Sequence, residues 1–469
     1  MKLKQFISWI IFLAMISSVC VFPVSGEEAA QANLSVTSGC HSIDGAMPFL
    51  GRDRVVQNIG SAFMFETNSE TLLYEWNADT QMYPASLAKL MTALVVLENS
   101  NLQDVVTVSE SALQSVDIYS QSLKLTPGER MTVEQMLYCL LVHSANEAAT
   151  VLAEHVSGSE SGFVALMNKR AVELGCTGTN YTNPHGIHNK QQVTTARDVC
   201  RVLQAALKND NFRTIFGTMT YQVPATNCYD KVRNLSSNNH LMNQSTFSHY
   251  YDERVMGGRV GETEEGQRCV ATVSQSGNME VICVVMGSKP IYSDDGKTVK
   301  DYGGFYETTA LLDKAYNGYA RRQIVSANQI LRQQSVTDGD CSLMVAARQS
   351  FATVLPSDIT LDQLSFQYQD IPGSEKAPVK KGQNVAYLQV WYGSMCIAQT
   401  DVYAMNDVPK TFVKTAALQE RKNDTSVWLI VLITIGAVVL IAVGVLFTVY
   451  LRRKPRRRYT EEEIPRRRR

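Results

Sequence analysis

Residues 427–451 carry no charged side chain. As a helix this run reaches about 37 Å, enough to cross a bilayer core of roughly 30 Å. Inside hydrocarbon a single segment has to satisfy its own peptide groups, so a helix is the one form open to it. Trp428 and Tyr450 sit at its two ends, where interfacial aromatics belong. Ten Lys/Arg follow between Arg452 and Arg469, against Glu461, Glu462 and Glu463. The positive-inside rule places this basic tail, 452–469, in the cytoplasm and the bulk of the chain outside. The tail reads as a topology signal and a contact for anionic lipid. At the other end, Lys2 and Lys4 precede an apolar run to Phe22, then Pro23, Ser25 and Gly26. Residues 1–26 read as a secretory signal peptide, with an uncleaved anchor as the alternative.

The formal net charge of −1 hides an asymmetry, because both ends of the chain are basic. What lies between them is acidic, which argues against nucleic acid as a partner. The chain has 10 cysteines but no C-x-x-C pair, so a zinc ribbon or a redox motif is not expected. Cys139, Cys200, Cys269 and Cys283 lie in apolar runs and read as small core residues. No disulfide is assigned.

About 400 residues outside the membrane are too many for one typical domain, so two are expected. Residues 27–57 read as a poorly ordered leader. Strands are predicted over 60–65 and 72–75, around the turn Asn68-Ser69-Glu70. The run 85–99 reads as a strongly apolar helix. Thr132-Val133-Glu134-Gln135 has the capping-box form and opens a helix that ends near Leu141. Further helices are predicted over 147–156, 163–174 and 195–208. Beyond them the pattern turns to strands at 255–260, 269–274 and 280–286, with a turn at Ser276-Gly277-Asn278. Helices packed on an antiparallel sheet follow, an α+β arrangement over 58–300. After a helix near 306–316, residues 320–405 alternate short strands and turns, an all-β domain. A polar linker, 407–426, leads to the membrane span.

The chemistry is concentrated at Ser86-Leu87-Ala88-Lys89. Serine and lysine at i and i+3 share one helix face, and Pro84 with the apolar run after Lys89 marks the helix start. Ser86 then sits where backbone N–H groups are unpaired and developing negative charge is favoured. A serine nucleophile with a lysine base needs this placement. Alone the pattern is weak. It is followed by Ser144-Ala145-Asn146 and Arg259-Val260-Gly261, an order and spacing that resemble the S-x-x-K, S-x-N, K-T-G trio of penicillin-binding proteins and serine β-lactamases.

The chain more closely resembles the low-molecular-weight penicillin-binding proteins, the D-alanyl-D-alanine carboxypeptidases of peptidase family S11. Ala85 to Leu94, Asn183-Pro184-His185-Gly186 and Thr194-Thr195-Ala196-Arg197-Asp198 carry that resemblance. It covers roughly 58–290, with a weaker match to about 405. It implies a serine β-lactamase/transpeptidase-like fold, a small all-β domain, no cofactor, and trimming of peptidoglycan stem peptides. β-Lactams would act as covalent inhibitors. The family more often uses an amphipathic helix than a true span at its C-terminus.

In that scheme Ser86 attacks the D-Ala-D-Ala carbonyl and Lys89 is its base. Ser144 relays a proton to the leaving amine, and Asn146 bonds the substrate amide and Lys89. Ser144 and Asn146 also have the residue types of ordinary caps for the next helix. Arg259, Val260, Gly261 and Glu262 form the strand along which substrate lies. Gly261 lets backbone approach backbone, and the Glu262 N–H joins that of Ser86 as an oxyanion donor. Arg259 and Val260 replace the family's lysine and threonine. Arginine is not a conservative replacement, and valine cannot hydrogen-bond the substrate's terminal carboxylate. The activity is therefore expected to be reduced, and a peptidoglycan- or β-lactam-binding scaffold or sensor is the alternative function. A β-lactamase is the remaining one, without a recognisable carboxylate to activate water. His185 and His188 have metal-pair spacing but no accompanying third ligand, so no metal site is expected.

Overall fold

The computed structural model describes residues 56, 58–114, 116, 121–295, 297–393, 395–411 and 417–452. The expected signal peptide, nearly all of the leader and the tail beyond Arg452 lie outside these residues.

A five-stranded antiparallel sheet forms the centre. Its strands are β1 (Ser61–Glu66), β2 (Thr71–Trp76), β3 (Val255–Thr263), β4 (Gln267–Ser276) and β5 (Met279–Ser288). They are ordered β2-β1-β5-β4-β3, so β3 is an edge. Alternation along each strand feeds two cores. Phe63, Phe65, Ile282, Val284 and Met286 face one apolar cluster, while Ala62, Met64, Val281, Cys283 and Val285 face another. With both faces covered, these strands read as nearly unbroken apolar runs.

The first face packs on helices α1 (Ala88–Asn99), α2 (Val133–Tyr138), α3 (Asn146–Ser157), α4 (Glu160–Glu173), α5 (Ala196–Ala206) and α6 (Asp210–Phe216). The second face is covered by α7 (Gly303–Gly318). The capping box that opens α2 is present: Gln135 N–H donates to Thr132 Oγ1 at 3.1 Å, and Thr132 N–H to Gln135 Oε1 at 2.9 Å. The helix does not run on to Leu141. It changes to a wider π-type turn over Cys139–His143, which ends on Ser144 in the left-handed region at φ 68°. The expected helix over 85–99 likewise begins as a 3-10 turn, Ala85–Leu87, and α6 was not evident in the apolar pattern. The four cysteines read as core residues are free and buried.

The second domain holds a five-stranded antiparallel sheet in the order Ile330–Gln334, Leu343–Ala347, Met395–Ala404, Asn384–Tyr392, Leu364–Asp370. Strands Tyr319–Val325 and Phe351–Pro356 pair beside it. Its core includes Leu343, Val345, Leu388, Val390 and Ile397. A final helix, α8 (Ala417–Arg452), contains Trp428–Val449, which is long and apolar enough to cross a membrane and is not buried within the chain.

Candidate active site

Four predicted residues converge where α1, the Cys139–His143 turn and β3 meet. Ser86 lies on the 3-10 turn that leads into α1, after Ala85, whose φ of 47° is unusual for a residue with a Cβ. Two glycines leave room for that turn. A Cβ on Gly261 would stand 2.5 Å from Ser86 N, and one on Gly186 would stand 1.9 Å from Ala85 O. Gly186 also needs its φ of +90°. The Asn-Pro-His-Gly segment is therefore a floor beneath the nucleophile: Gly186 N–H donates to Asn183 Oδ1 at 2.7 Å, and Thr92 Oγ1 donates to Pro184 O at 2.6 Å.

Lys89 is fully buried one turn after Ser86. Its Nζ is 3.0 Å from Ser86 Oγ and 2.7 Å from Asn146 Oδ1, and it also donates to His185 O. Burial holds this amine well below the ordinary lysine range; the neighbouring Arg259 charge adds to that, and Glu147 opposes it. Ser144 Oγ donates to Ser86 Oγ at 3.2 Å. The left-handed backbone at Ser144 turns this hydroxyl back into the site before α3 begins at Asn146. Asn146 N–H donates to Gln121 O at 3.0 Å. Glu147 Oε1 accepts from Leu123 N–H at 2.6 Å and Ser122 Oγ at 2.7 Å, clipping the 121–123 loop to the helix start. Sequence reasoning missed Glu147, which carries no motif of its own.

The β3 residues divide between two sides. Arg259 faces the helices: it is 1% exposed, and its Nη1 donates to Leu141 O at 2.8 Å, bracing the turn that carries Ser144. Its Nε and Nη2 have no hydrogen-bond partner among the described residues. Burial pushes its guanidinium down to about 9, so it remains charged at neutral pH. Val260 points the other way, into the apolar cluster with Leu241, Tyr250, Val255 and Val270. The Glu262 side chain, half-exposed, pairs with Arg268.

The two histidines serve different neighbours. His185 Nδ1 accepts from Ile187 N–H at 3.1 Å, and burial, helped by the Lys89 charge, pushes it down to about 3. His188 packs edge-on against Tyr83 and approaches Glu265.

Comparison with known proteins identifies the family. A family model described as D-alanyl-D-alanine carboxypeptidase matches residues 55–290. One described as penicillin-binding protein 5, C-terminal domain, matches 319–410. The chain is 29% identical over 367 residues to D-alanyl-D-alanine carboxypeptidase DacF of Bacillus subtilis, covering 76% of this chain and 88% of that one. It is 27% identical over 354 residues to DacA of Haemophilus influenzae, covering 74% and 84%. Among solved structures, penicillin binding protein 5 from Haemophilus influenzae superposes with a TM-score of 0.61 at 25% identity, covering 75% of this chain and 98% of that one.

Proposed function

The chain belongs to the D-alanyl-D-alanine carboxypeptidase family, peptidase family S11, and from that premise we propose that Ser86 removes the terminal D-alanine from peptidoglycan stem peptides. The observation that carries this reading is the contact of Ser86 Oγ with both Lys89 Nζ and Ser144 Oγ. Lys89, whose pKa burial pulls well down, accepts the Ser86 proton as Oγ attacks the penultimate D-Ala carbonyl. The N–H groups of Ser86 and Glu262 receive the oxyanion. Ser144 passes a proton to the departing D-alanine amine, which leaves an ester on Ser86. Water then cleaves the ester and the proton returns to Ser86. β-Lactams enter the same path and stop at the ester. Helix α8 anchors the protein, with the catalytic domain outside and the basic tail in the cytoplasm.

One observation favours a weakened enzyme or a scaffold instead. Val260 offers no hydrogen bond where the family's threonine would meet the substrate carboxylate. The experiment incubates the full-length protein with a fluorescent penicillin and, separately, with a D-Ala-D-Ala peptide. Covalent labelling with D-alanine release supports the enzyme, and labelling without release supports the scaffold. Ser86→Ala should abolish labelling; undiminished labelling of that variant removes Ser86 as the nucleophile.

A further inference from the structure

Helix α3 begins without a side-chain cap. Its N-cap residue is Ala145, whose methyl group accepts nothing from the first turn, so another segment has to supply the acceptor. The 121–124 loop does so, with Asn146 N–H donating to Gln121 O at 3.0 Å. Glu147, in the first turn and 2% exposed, holds the next two loop residues through one oxygen. Its Oε1 accepts from Ser122 Oγ at 2.7 Å and from Leu123 N–H at 2.6 Å. Ser122 Oγ accepts in turn from Lys124 N–H at 3.0 Å. Further along α3, Thr150 Oγ1 donates to Ala112 O at 2.8 Å. The helix therefore grips the preceding chain at residue 112 and again at 121–123.

This grip bears on the lysine base through Asn146. That residue's Oδ1 accepts from Lys89 Nζ at 2.7 Å, while its backbone N–H is held by the loop. Loosening the loop frees the helix start and lets the carboxamide drift from the amine. Glu147 Oε2 is buried with no hydrogen-bond partner among the described residues. A glutamine could accept the same two loop bonds through its carbonyl, so what only glutamate supplies is its charge. That charge sits in the interior with Lys89 and Arg259. It raises the Lys89 pKa, against the larger effect of burial and against Arg259.

We propose that Glu147 is a positioning residue for acylation with two separable parts: its Oε1 fixes the 121–123 loop, and through it the Asn146 carboxamide that holds Lys89 Nζ, while its charge opposes that of Arg259 at the same amine. The inference rests on acylation of Ser86 with Lys89 as base, and adds a residue to that same site. The groups facing Lys89 are Ser86 on its own turn, Asn146 and Glu147 from α3, Arg259 from β3 and His185 from the Asn-Pro-His-Gly segment. His143, on the π-type turn, also feels Glu147. Burial lowers the His143 pKa, a Ser122 backbone bond and Glu147 oppose that, and Arg259 adds to it.

The experiment uses the full-length protein in detergent and follows acylation by a fluorescent penicillin in stopped flow across pH. It separates the limiting acylation rate from the apparent Kd of the first complex. Glu147→Ala should slow the limiting rate about 10- to 100-fold and leave the apparent Kd within about threefold, because the base is misplaced and the binding surface is not. Glu147→Gln keeps the acceptor, so its plateau rate should stay within about threefold of wild type. Its acid limb should move to lower pH: loss of the anion lowers the Lys89 pKa further, and neutral lysine then persists to lower pH. The same displacement should appear when both proteins also carry His143→Gln, which assigns it to Lys89. An unchanged thermal midpoint and labelling to completion at long times identify folded variants. If Glu147→Ala does not fold, Ser122→Ala takes its place. It removes one partner of Oε1 and keeps the carboxylate, so it should slow the limiting rate about threefold or more without moving the limb. Any of three results overturns the proposal: a wild-type limiting rate in the folded alanine variant, a Glu147→Gln plateau as low as that variant's, or an acid limb that Glu147→Gln leaves in place or moves only while His143 is present. Labelling of wild type that Ser86→Ala abolishes keeps the Ser86 reading standing whichever way the Glu147 variants fall. A wild type that penicillin does not acylate ends both.

Discussion

Val260→Thr tests whether a valine at this position limits recognition of the substrate carboxylate. The two side chains have nearly the same shape, but one methyl becomes a hydroxyl. Val260 is only 4% exposed, packed among Leu241, Tyr250, Val255 and Val270. Without a partner, that hydroxyl costs about 1–3 kcal/mol of stability. If it meets the substrate carboxylate, it contributes about 1.5–3 kcal/mol in the complex, which is about 10- to 150-fold in kcat/KM. The expected result is thus a less stable enzyme that cleaves D-Ala-D-Ala peptides about 10-fold faster or more. Arg259→Lys alone should do less, because the positive charge is already there. The double variant should show roughly the sum of the two effects, since Arg259 and Val260 point to opposite sides of β3. The assay is D-alanine release at subsaturating peptide, alongside a thermal melt. A folded Val260→Thr enzyme with unchanged turnover refutes the reasoning and leaves the carboxylate to other residues.

Acylation needs neutral Lys89, so it should be present above the depressed pKa of that amine and lost as the pH falls through it. Arg259→Gln removes a cation that holds the amine down, so the acid limb of the penicillin acylation profile should move to higher pH; an unmoved limb contradicts the assignment of Lys89 as base. Gly261→Ala puts a Cβ 2.5 Å from Ser86 N, so the nucleophile's turn has to shift, with about 100-fold slower acylation in stopped-flow labelling; wild-type rates would mean the strand does not press on Ser86. Truncation near Asn423 should leave a protein that stays in solution without detergent and still labels with penicillin. Loss of labelling in a folded truncation would show that α8 contributes to the site.

The parts of this molecule legible in the sequence are those governed by short-range spacing. The i, i+3 relation of Ser86 and Lys89, the Thr132/Gln135 capping box and the apolar run of β5 are each set by neighbours a few residues apart. The residues that finish the site are not. The left-handed Ala85 and its turn are approached closely by Gly186 and Gly261, which lie about 100 and 175 residues away in the chain. The change from α2 to a π-type turn is tied to the need to bring Ser144 back towards Ser86, a requirement of tertiary packing rather than of propensity. Glu147 and Arg268 become meaningful only once the 121–123 loop and the β3–β4 register place their partners beside them. One signal was available earlier: a glycine after Asn-Pro-His points to a backbone that another segment approaches closely.

The buried charges show what an arginine at 259 can do beside Lys89. Lys89, Arg259 and Glu147 share the interior behind Ser86, and their charges act on one another. An arginine held near 9 does not give up its proton at neutral pH. It can brace the Ser144 turn through Leu141 and add to the burial that lowers the Lys89 pKa, but it does not carry a proton through the proposed reaction. In the proposed mechanism, movement of protons is confined to the three side chains in contact at the nucleophile, Ser86, Lys89 and Ser144. An arginine at 259 is then compatible with the proposed acylation chemistry. The proposed reading therefore expects the consequences of Arg259 and Val260 in recognition, along the side of β3 where Val260 and Glu262 lie.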